Sequence, residues 1–430
     1  MSRINGLPDD LLVKILSYLP TKVAVSTSIL SKQWQFLWMW LPKLEYRPKY
    51  VSEPALKGFI DKNLPLHRAH VIESLRLTIS DEHIESEDIK RWIEIAVSRH
   101  VRELEISYEP AYENIFPSSF YTCESLEILK LKDVTLMDVP PSTACLPSLK
   151  TLELDSVSYE RDESLQRLLS ICPVLEELSV HFGGEDDLVE FSIIVPSLQR
   201  LSLFIDDDYL DLDRYVIDTP CLKYFKLEDW NDSRTYCEIK NMPTLEEAFV
   251  DVFFSRLESV VESITSVKRL TICSEQEEEE DVYGGGFVFN ELEHLKLCLC
   301  KKKSSNVLAQ FLKDSPNLRV LEISPMEDHG DDVLNGMVSW NEPSCVPECL
   351  LSSLETFKWS QYFARRQGRE IAVYMLKNAC HLEEAIFLAD TREFGVPKFK
   401  MVKELTLYSR ASSTCELVFV EGHHVVSRHK

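Results

Sequence analysis

Glycine is scarce in this chain, 12 residues in 430, and that alone removes collagen-like and low-complexity architectures. Its longest run, Gly284-Gly285-Gly286, follows Glu277-Glu278-Glu279-Glu280-Asp281. Such an acidic insertion repels phosphate, so no phosphate-cradling loop is expected. No run of about 18 apolar residues exists to span a bilayer, and the opening Met1-Ser2-Arg3-Ile4-Asn5-Gly6 lacks the apolar stretch of a secretory signal. Positive charge is in deficit: 47 Lys and Arg face 71 Asp and Glu, a net charge of −24. That field repels nucleic-acid backbones and anionic lipid, so neither nucleic acid nor membrane is an expected partner. These absences predict a soluble intracellular protein, cytoplasmic, nuclear or both.

Paired CxxC spacing is missing as well. The 12 cysteines are dispersed, often among apolar residues as in Leu297-Cys298-Leu299-Cys300, which predicts reduced, buried thiols. Neither Cys298/Cys300 nor Cys345/Cys349 has a histidine or cysteine set at a metal-ligand interval, and His67/His70 and His423/His424 lack a clear third ligand. No nucleophile elbow or kinase signature occurs. The residues therefore predict no catalytic site, no metal and no cofactor.

What is present is a repeat. The pattern L-x-x-L-x-L, with other apolar residues allowed, starts at 72, 101, 126, 149, 175, 198, 222, 245, 267, 292, 318, 354, 382 and 402. Its clearest copies include Leu149/Leu152/Leu154, Leu198/Leu201/Leu203 and Leu292/Leu295/Leu297. Most intervals fall within the ~20–29 residues of leucine-rich repeats. The last two apolar positions alternate with polar ones, as in Thr151-Leu152-Glu153-Leu154-Asp155, the period of a half-buried strand. Prolines such as Pro147, Pro173, Pro196, Pro220, Pro243 and Pro316 precede many units and stop any helix there. The returns read as helical or irregular, with leucines at helical spacing over 162–170. The expected fold is therefore α/β: a curved solenoid of parallel strands whose neighbours cover one another's apolar faces.

The outward strand positions are the expected binding surface. In the central units, residues 198–251, they carry Phe204, Tyr224 and Phe249 among Arg200, Lys226, Glu228, Glu247 and Asp251, aromatic anchors surrounded by charges that set register. Arg200, Phe204, Tyr224, Lys226, Glu247, Phe249 and Asp251 are the candidate substrate-binding residues. Flanking units offer fewer aromatics, and Cys273 and Cys298 are expected on this outer side too.

Residues 4–46 lack strand periodicity. Pro8 suits a first helical turn, Asp9 and Asp10 complement its dipole, and Leu11/Ile15/Leu19 with Leu12/Leu16 form an apolar stripe ended by Pro20. Thr21 is the expected cap of a second short helix and Ser31 of a third carrying Trp34, Leu37, Trp38 and Leu41. Three helices in about forty residues cannot enclose that much apolar surface alone, which implies a partner.

These residues carry a family resemblance. Ile4 through Leu12, Ile15-Leu16-Ser17-Tyr18-Leu19-Pro20-Thr21-Lys22 and Ser28-Ile29-Leu30-Ser31-Lys32-Gln33-Trp34 to Trp38 resemble a plant F-box, with Gln33 where arginine is common. Trp340-Asn341-Glu342-Pro343 through Leu351, Tyr374 to Ala379, and Ser409 through Phe419 are similar to the FBD module. With the repeats between, the whole chain resembles the plant F-box/FBD/LRR family. The resemblance implies an F-box at 1–46, a linker at 47–70, repeats at 71–335, an FBD module at 336–420 continuing the array and a tail at 421–430. It further implies a non-catalytic substrate-receptor subunit of a cullin-based (SCF-type) ubiquitin ligase. The F-box would dock on a Skp-type adaptor, and through it the cullin, by Leu7, Pro8, Leu11, Ile15, Leu16, Leu19, Pro20, Trp34 and Trp38, while the repeats hold an unknown protein substrate. A protein-binding scaffold acting outside a ligase, and a receptor completed by a small molecule, are the alternative readings.

Overall fold

The computed structural model describes residues 6–48, 53–80, 84–108, 113–136, 144–183, 188–206, 212–230, 236–253, 257–275, 286–299, 304–326, 329, 340–362, 366–388, 404–421 and 424–429. The acidic insertion at 277–281, Cys300 and His423 lie outside them. The chain divides into two compact units, Met1–Thr219 and Pro220–Lys430.

The first unit opens with helix Asp9–Leu16, begun by Pro8 in extended backbone, whose carbonyl accepts from the amides of Leu11 and Leu12. Helix Thr21–Ser26 likewise starts after Pro20. Thr21 is not its side-chain cap: the buried Thr21 hydroxyl accepts the Glu45 amide at 2.8 Å, stitching this helix to the strand Lys43–Tyr46. The third segment, Trp34–Trp40, is 3₁₀ rather than α.

That strand is a rung which the leucine pattern does not announce. Lys43–Tyr46, Ser74–Ile79, Glu103–Tyr108, Ile128–Lys132, Thr151–Asp155, Glu177–Phe182 and Arg200–Ile205 pair in parallel, in chain order. Leu44, Leu75, Leu104, Leu129, Leu152, Leu178 and Leu201 stand in one register row, all buried. Each rung's apolar side is thus closed by the next, which is what allows so short a strand to persist. The returns include helix Ser86–Ser98, which buries Ile89, Trp92, Ile93 and Ala96, and helix Ser164–Ser170. Where helical or irregular returns are expected, Glu190–Ile194 and Arg214–Asp218 are instead paired parallel strands with Phe191 stacked on Tyr215. Alternating aromatic and β-branched residues (Phe191, Ile193; Tyr215, Ile217) favour the strand there.

Residues 47–70 are not a free linker. Helix Glu53–Asn63 buries Leu56 and Ile60, and its Asp61 accepts from Arg91 at 2.8 Å and from the Trp92 indole at 2.9 Å.

In the second unit, Tyr224–Asp229, Glu247–Phe253, Arg269–Glu275, His294–Leu297, Val320–Ile323, Thr356–Ser360, Glu384–Leu388 and Glu416–Glu421 pair in parallel. His424–His429 closes the ladder antiparallel. The repeat expected at 402 provides no rung: Leu405 is buried on a helical turn at 404–406, and Glu416–Glu421 takes the ladder position. Among the described residues no helix is long and apolar enough to cross a membrane. Seven described cysteines are buried, four are exposed, and none is in a disulfide. Burial pushes the Cys172 and Cys349 thiols up to about 12, leaving them protonated and inert.

Candidate functional site

The stripe of the first helix splits between two faces. Leu12 and Leu16 point inward with Ala24, Trp34, Leu37, Trp38 and Met39 and are buried. Leu11 (48% exposed), Ile15 (39%) and Leu19 (39%) point outward, joined by Val23, Ile29, Leu30 and Tyr18. With Phe36 and Trp40, nine large apolar side chains are exposed on one module of some forty residues, more than a monomer surface needs.

Of the nine residues implied for adaptor contact, Leu16, Trp34 and Trp38 therefore lie in the module's own core and are inaccessible to a partner. The reason is packing: this small module needs its tryptophans to close its core. Leu11, Ile15, Leu19 and Pro8 remain on the surface, and Leu7 and Pro20 are partly covered. Tyr18, Val23, Ile29 and Leu30 are exposed but not among those nine; their only signal is that they are apolar and off the buried stripe. Gln33 donates to the Leu7 carbonyl at 3.1 Å and to the Asp9 carboxylate at 3.0 Å, fixing the start of the first helix.

This module is fused to the ladder rather than tethered. The Met39 carbonyl accepts the Arg68 amide at 2.7 Å, the Pro42 carbonyl accepts the Glu73 amide at 2.7 Å, and Lys43–Tyr46 is the ladder's first rung. The exposed apolar face is consequently held at a defined place on the first unit.

The residues chosen for substrate contact fall in both units. In the first, Arg200 is exposed and pairs with Glu177 at 3.5 Å, and half-buried Phe204 meets the His181 ring edge-on at 4.5 Å. In the second, Tyr224 is half-buried, Lys226 pairs with Glu228 at 2.7 Å and lies 5.1 Å over the Phe249 ring, and Glu247 accepts from Arg269 at 3.1 Å. Asp251 is not on offer to a partner. It is buried, accepting from the Trp230 indole at 3.2 Å and lying 3.1 Å from His329 Nε2. Cys273 and Cys298, expected on the same outer side, are buried too, with Met326 beside them and Phe249 packed against the cluster. The segment that follows Val320–Ile323 covers this stretch of ladder, and no periodicity foretells it. Elsewhere ladder charges pair across rungs, Lys130 with Glu153 at 2.6 Å and Arg319 with Glu355 at 2.8 Å, partly exposed pairs that contribute little to stability.

A helical docking module with an exposed apolar face, continuous with parallel leucine ladders, defines a protein-interaction protein of the F-box and leucine-rich-repeat class. Comparison agrees: residues 4–46 match the F-box domain, and residues 64–422 match the LRR domain described as At1g61320/AtMIF1. FBD-associated F-box protein At5g38590 of Arabidopsis thaliana is 60% identical over 408 residues, covering 94% of this chain and 98% of that protein. FBD-associated F-box protein At4g10400 of the same plant is 55% identical, covering 97% of this chain and 100% of its own length. Putative F-box/FBD/LRR-repeat protein At4g00315, also of Arabidopsis thaliana, is 43% identical over 97% of this chain and 100% of its own. The chain belongs to the F-box/FBD/LRR-repeat family. The domains it matches are those of non-catalytic adaptors, and no enzyme family is among these matches.

Proposed function

We propose that this protein is the substrate-receptor subunit of a cullin-based ubiquitin ligase, docking on a Skp-type adaptor through its F-box and holding a protein substrate on its ladders. The observation that carries the reading is the division of the first helix: one face completes the module's core, while Leu11, Ile15 and Leu19 stand exposed, as do Val23, Ile29 and Leu30 on the same module. Burying such side chains is the largest favourable term available to an interface, about 25 cal/mol per Å² of apolar surface. Fusion of the module to the first unit supports the same role, because a receptor must present bound substrate at a set distance from the ligase. On the ladders, Arg200 and Phe204 in the first unit and Tyr224 and Lys226 in the second are the contacts we assign to substrate.

The test is co-purification with a Skp-type adaptor. Leu11→Ala with Ile15→Ala removes about 1.5–3 kcal/mol in all, given half-exposed side chains, and should weaken binding by about ten- to a hundred-fold with the unfolding temperature unchanged. Undiminished co-purification would sink the assignment and leave a scaffold outside any ligase. The same double variant is the right substrate trap for proximity labelling, since deleting residues 1–46 would strip the Lys43–Tyr46 rung and bare the row at Leu75. Arg200→Glu and Tyr224→Ala in that trap should deplete the labelled partners.

A further inference from the structure

Part of the outer side of the second unit's ladder is covered at Cys273 and Cys298, and what covers it has metal-binding chemistry. Ile272 and Leu297 are register partners on adjacent parallel strands, and the Cys298 amide donates to the Ile272 carbonyl at 3.0 Å. The next residues, Cys273 and Cys298, therefore put two thiols side by side. Both are almost wholly buried, at 1% and 2% exposure. Their cover is the segment leaving Val320–Ile323: Met326 joins their cluster, and His329 brings Nδ1 to 3.6 Å from the Cys298 sulfur. One donor atom from each of Cys273, Cys298 and His329 lies within 4.8 Å of the other two.

We propose that Cys273, Cys298 and His329 bind one zinc ion, with Asp251 as the residue that positions the histidine. Two thiolates and an imidazole select a thiophilic ion over magnesium or calcium. With Zn–S of ~2.3 Å and Zn–N of ~2.0–2.1 Å, the sulfur-to-nitrogen edge of a tetrahedron is about 3.6 Å, which the Cys298–His329 pair already meets. Zinc-binding histidines characteristically give their second N–H to a carboxylate. Here His329 Nε2 lies 3.1 Å from the Asp251 carboxylate, and the Trp230 indole holds that same oxygen at 3.2 Å. A proton on Nε2 leaves the Nδ1 lone pair directed at the sulfurs. Binding releases the two thiol protons, and three ligands leave one tetrahedral position to water or to an incoming group. The ion would pin the covering segment across the Glu247–Phe253, Arg269–Glu275 and His294–Leu297 strands, beside Phe249, and so set how much of this ladder a protein partner meets.

The experiment is zinc analysis of the full chain purified in reducing, chelator-free buffer. About one ion per chain is expected, with at least about a ten-fold loss in Cys298→Ser and in His329→Ala and no change in Cys380→Ser, whose thiol is exposed. Asp251→Asn keeps all three ligands and should weaken affinity about 10- to 100-fold in competition with a chromophoric chelator. Cobalt(II) titrated into the chelator-stripped wild type, which needs no variant to fold, should give thiolate-to-cobalt charge-transfer absorption. A chain without zinc and without that absorption, full zinc occupancy in Cys298→Ser, or a Cys273–Cys298 disulfide in the purified chain would each overturn the proposal.

Discussion

His67 Nε2 lies 2.8 Å from the carbonyl oxygen of Leu41, joining the end of the F-box to the chain that leads into the ladder. The ring is buried, and its Nδ1 is enclosed without a hydrogen-bond partner. Nε2 must carry the proton that the carbonyl accepts, and a second proton on Nδ1 would be buried without an acceptor, so the neutral ring is the one this junction accommodates.

A pH dependence of that junction follows. Burial pushes the His67 pKa below the usual histidine value; the bond to Leu41 opposes the shift, and nearby Arg99 adds to it. A depressed folded-state pKa means that the contribution to stability is complete above the unfolded value of about 6.5 and is lost as pH falls through the folded value. Thermal unfolding at about pH 7.5 and 5.5 should show the wild type losing more stability than His67→Leu, which starts about 1 kcal/mol lower for want of the hydrogen bond.

The two faces of the first helix should separate stability from binding. Trp34→Ala empties a core position and should cost about 3–5 kcal/mol, read as a lower unfolding temperature. Ile29→Ala alters an exposed side chain and should leave unfolding within about 0.5 kcal/mol of wild type while reducing adaptor capture. Equal thermal effects from both would mean that the faces have been misassigned.

Leu152 sits within the first unit's leucine row, between Leu129 and Leu178, with no exposed surface. Leu152→Ala should cost about 2–5 kcal/mol. Leu152→Asp should cost more, because its carboxylate would be buried without a partner. Chemical denaturation of the two variants measures the order, and a wild-type midpoint for the aspartate would refute the register.

Asp88 links the helix at 53–63 to the helix at 86–98. Its nearly enclosed carboxylate accepts from Lys57, and from Arg91 at 3.0 Å. Burial by itself would raise its pKa, but hydrogen bonds from Lys57, the Glu85 amide and Arg91, with the Lys57 charge, together outweigh that and hold it below the usual carboxylate range. Its contribution is thus present above about pH 4, the unfolded value, and lost as pH falls through the lower folded one. Asp88→Asn should cost about 1–3 kcal/mol at neutral pH, and the gap to wild type should close on acid titration.

The sequence alone determined the class of fold and most of its rungs, because period-2 alternation recurring at a fixed interval is a local property that each repeat satisfies with its neighbours. Thirteen of the fourteen expected starts, 72 through 382, lead into a ladder strand two residues on. The ladder strands without such a start are Lys43–Tyr46, which sits inside a helical module, Glu416–Glu421, which replaces the turn at Leu405, and the antiparallel His424–His429. The F-box was legible as a motif, but not which of its apolar residues face out, since Leu12 and Leu11, or Trp38 and Phe36, differ only in the direction that tertiary packing gives them. The ladder's outer side shows the same limit. Alternation places Asp251, Cys273 and Cys298 away from the leucine row, but whether that side meets water or protein depends on where a segment dozens of residues later comes to rest. His329 reaches Asp251 although it lies 78 positions later in the chain, a contact that long-range packing makes and no local periodicity encodes.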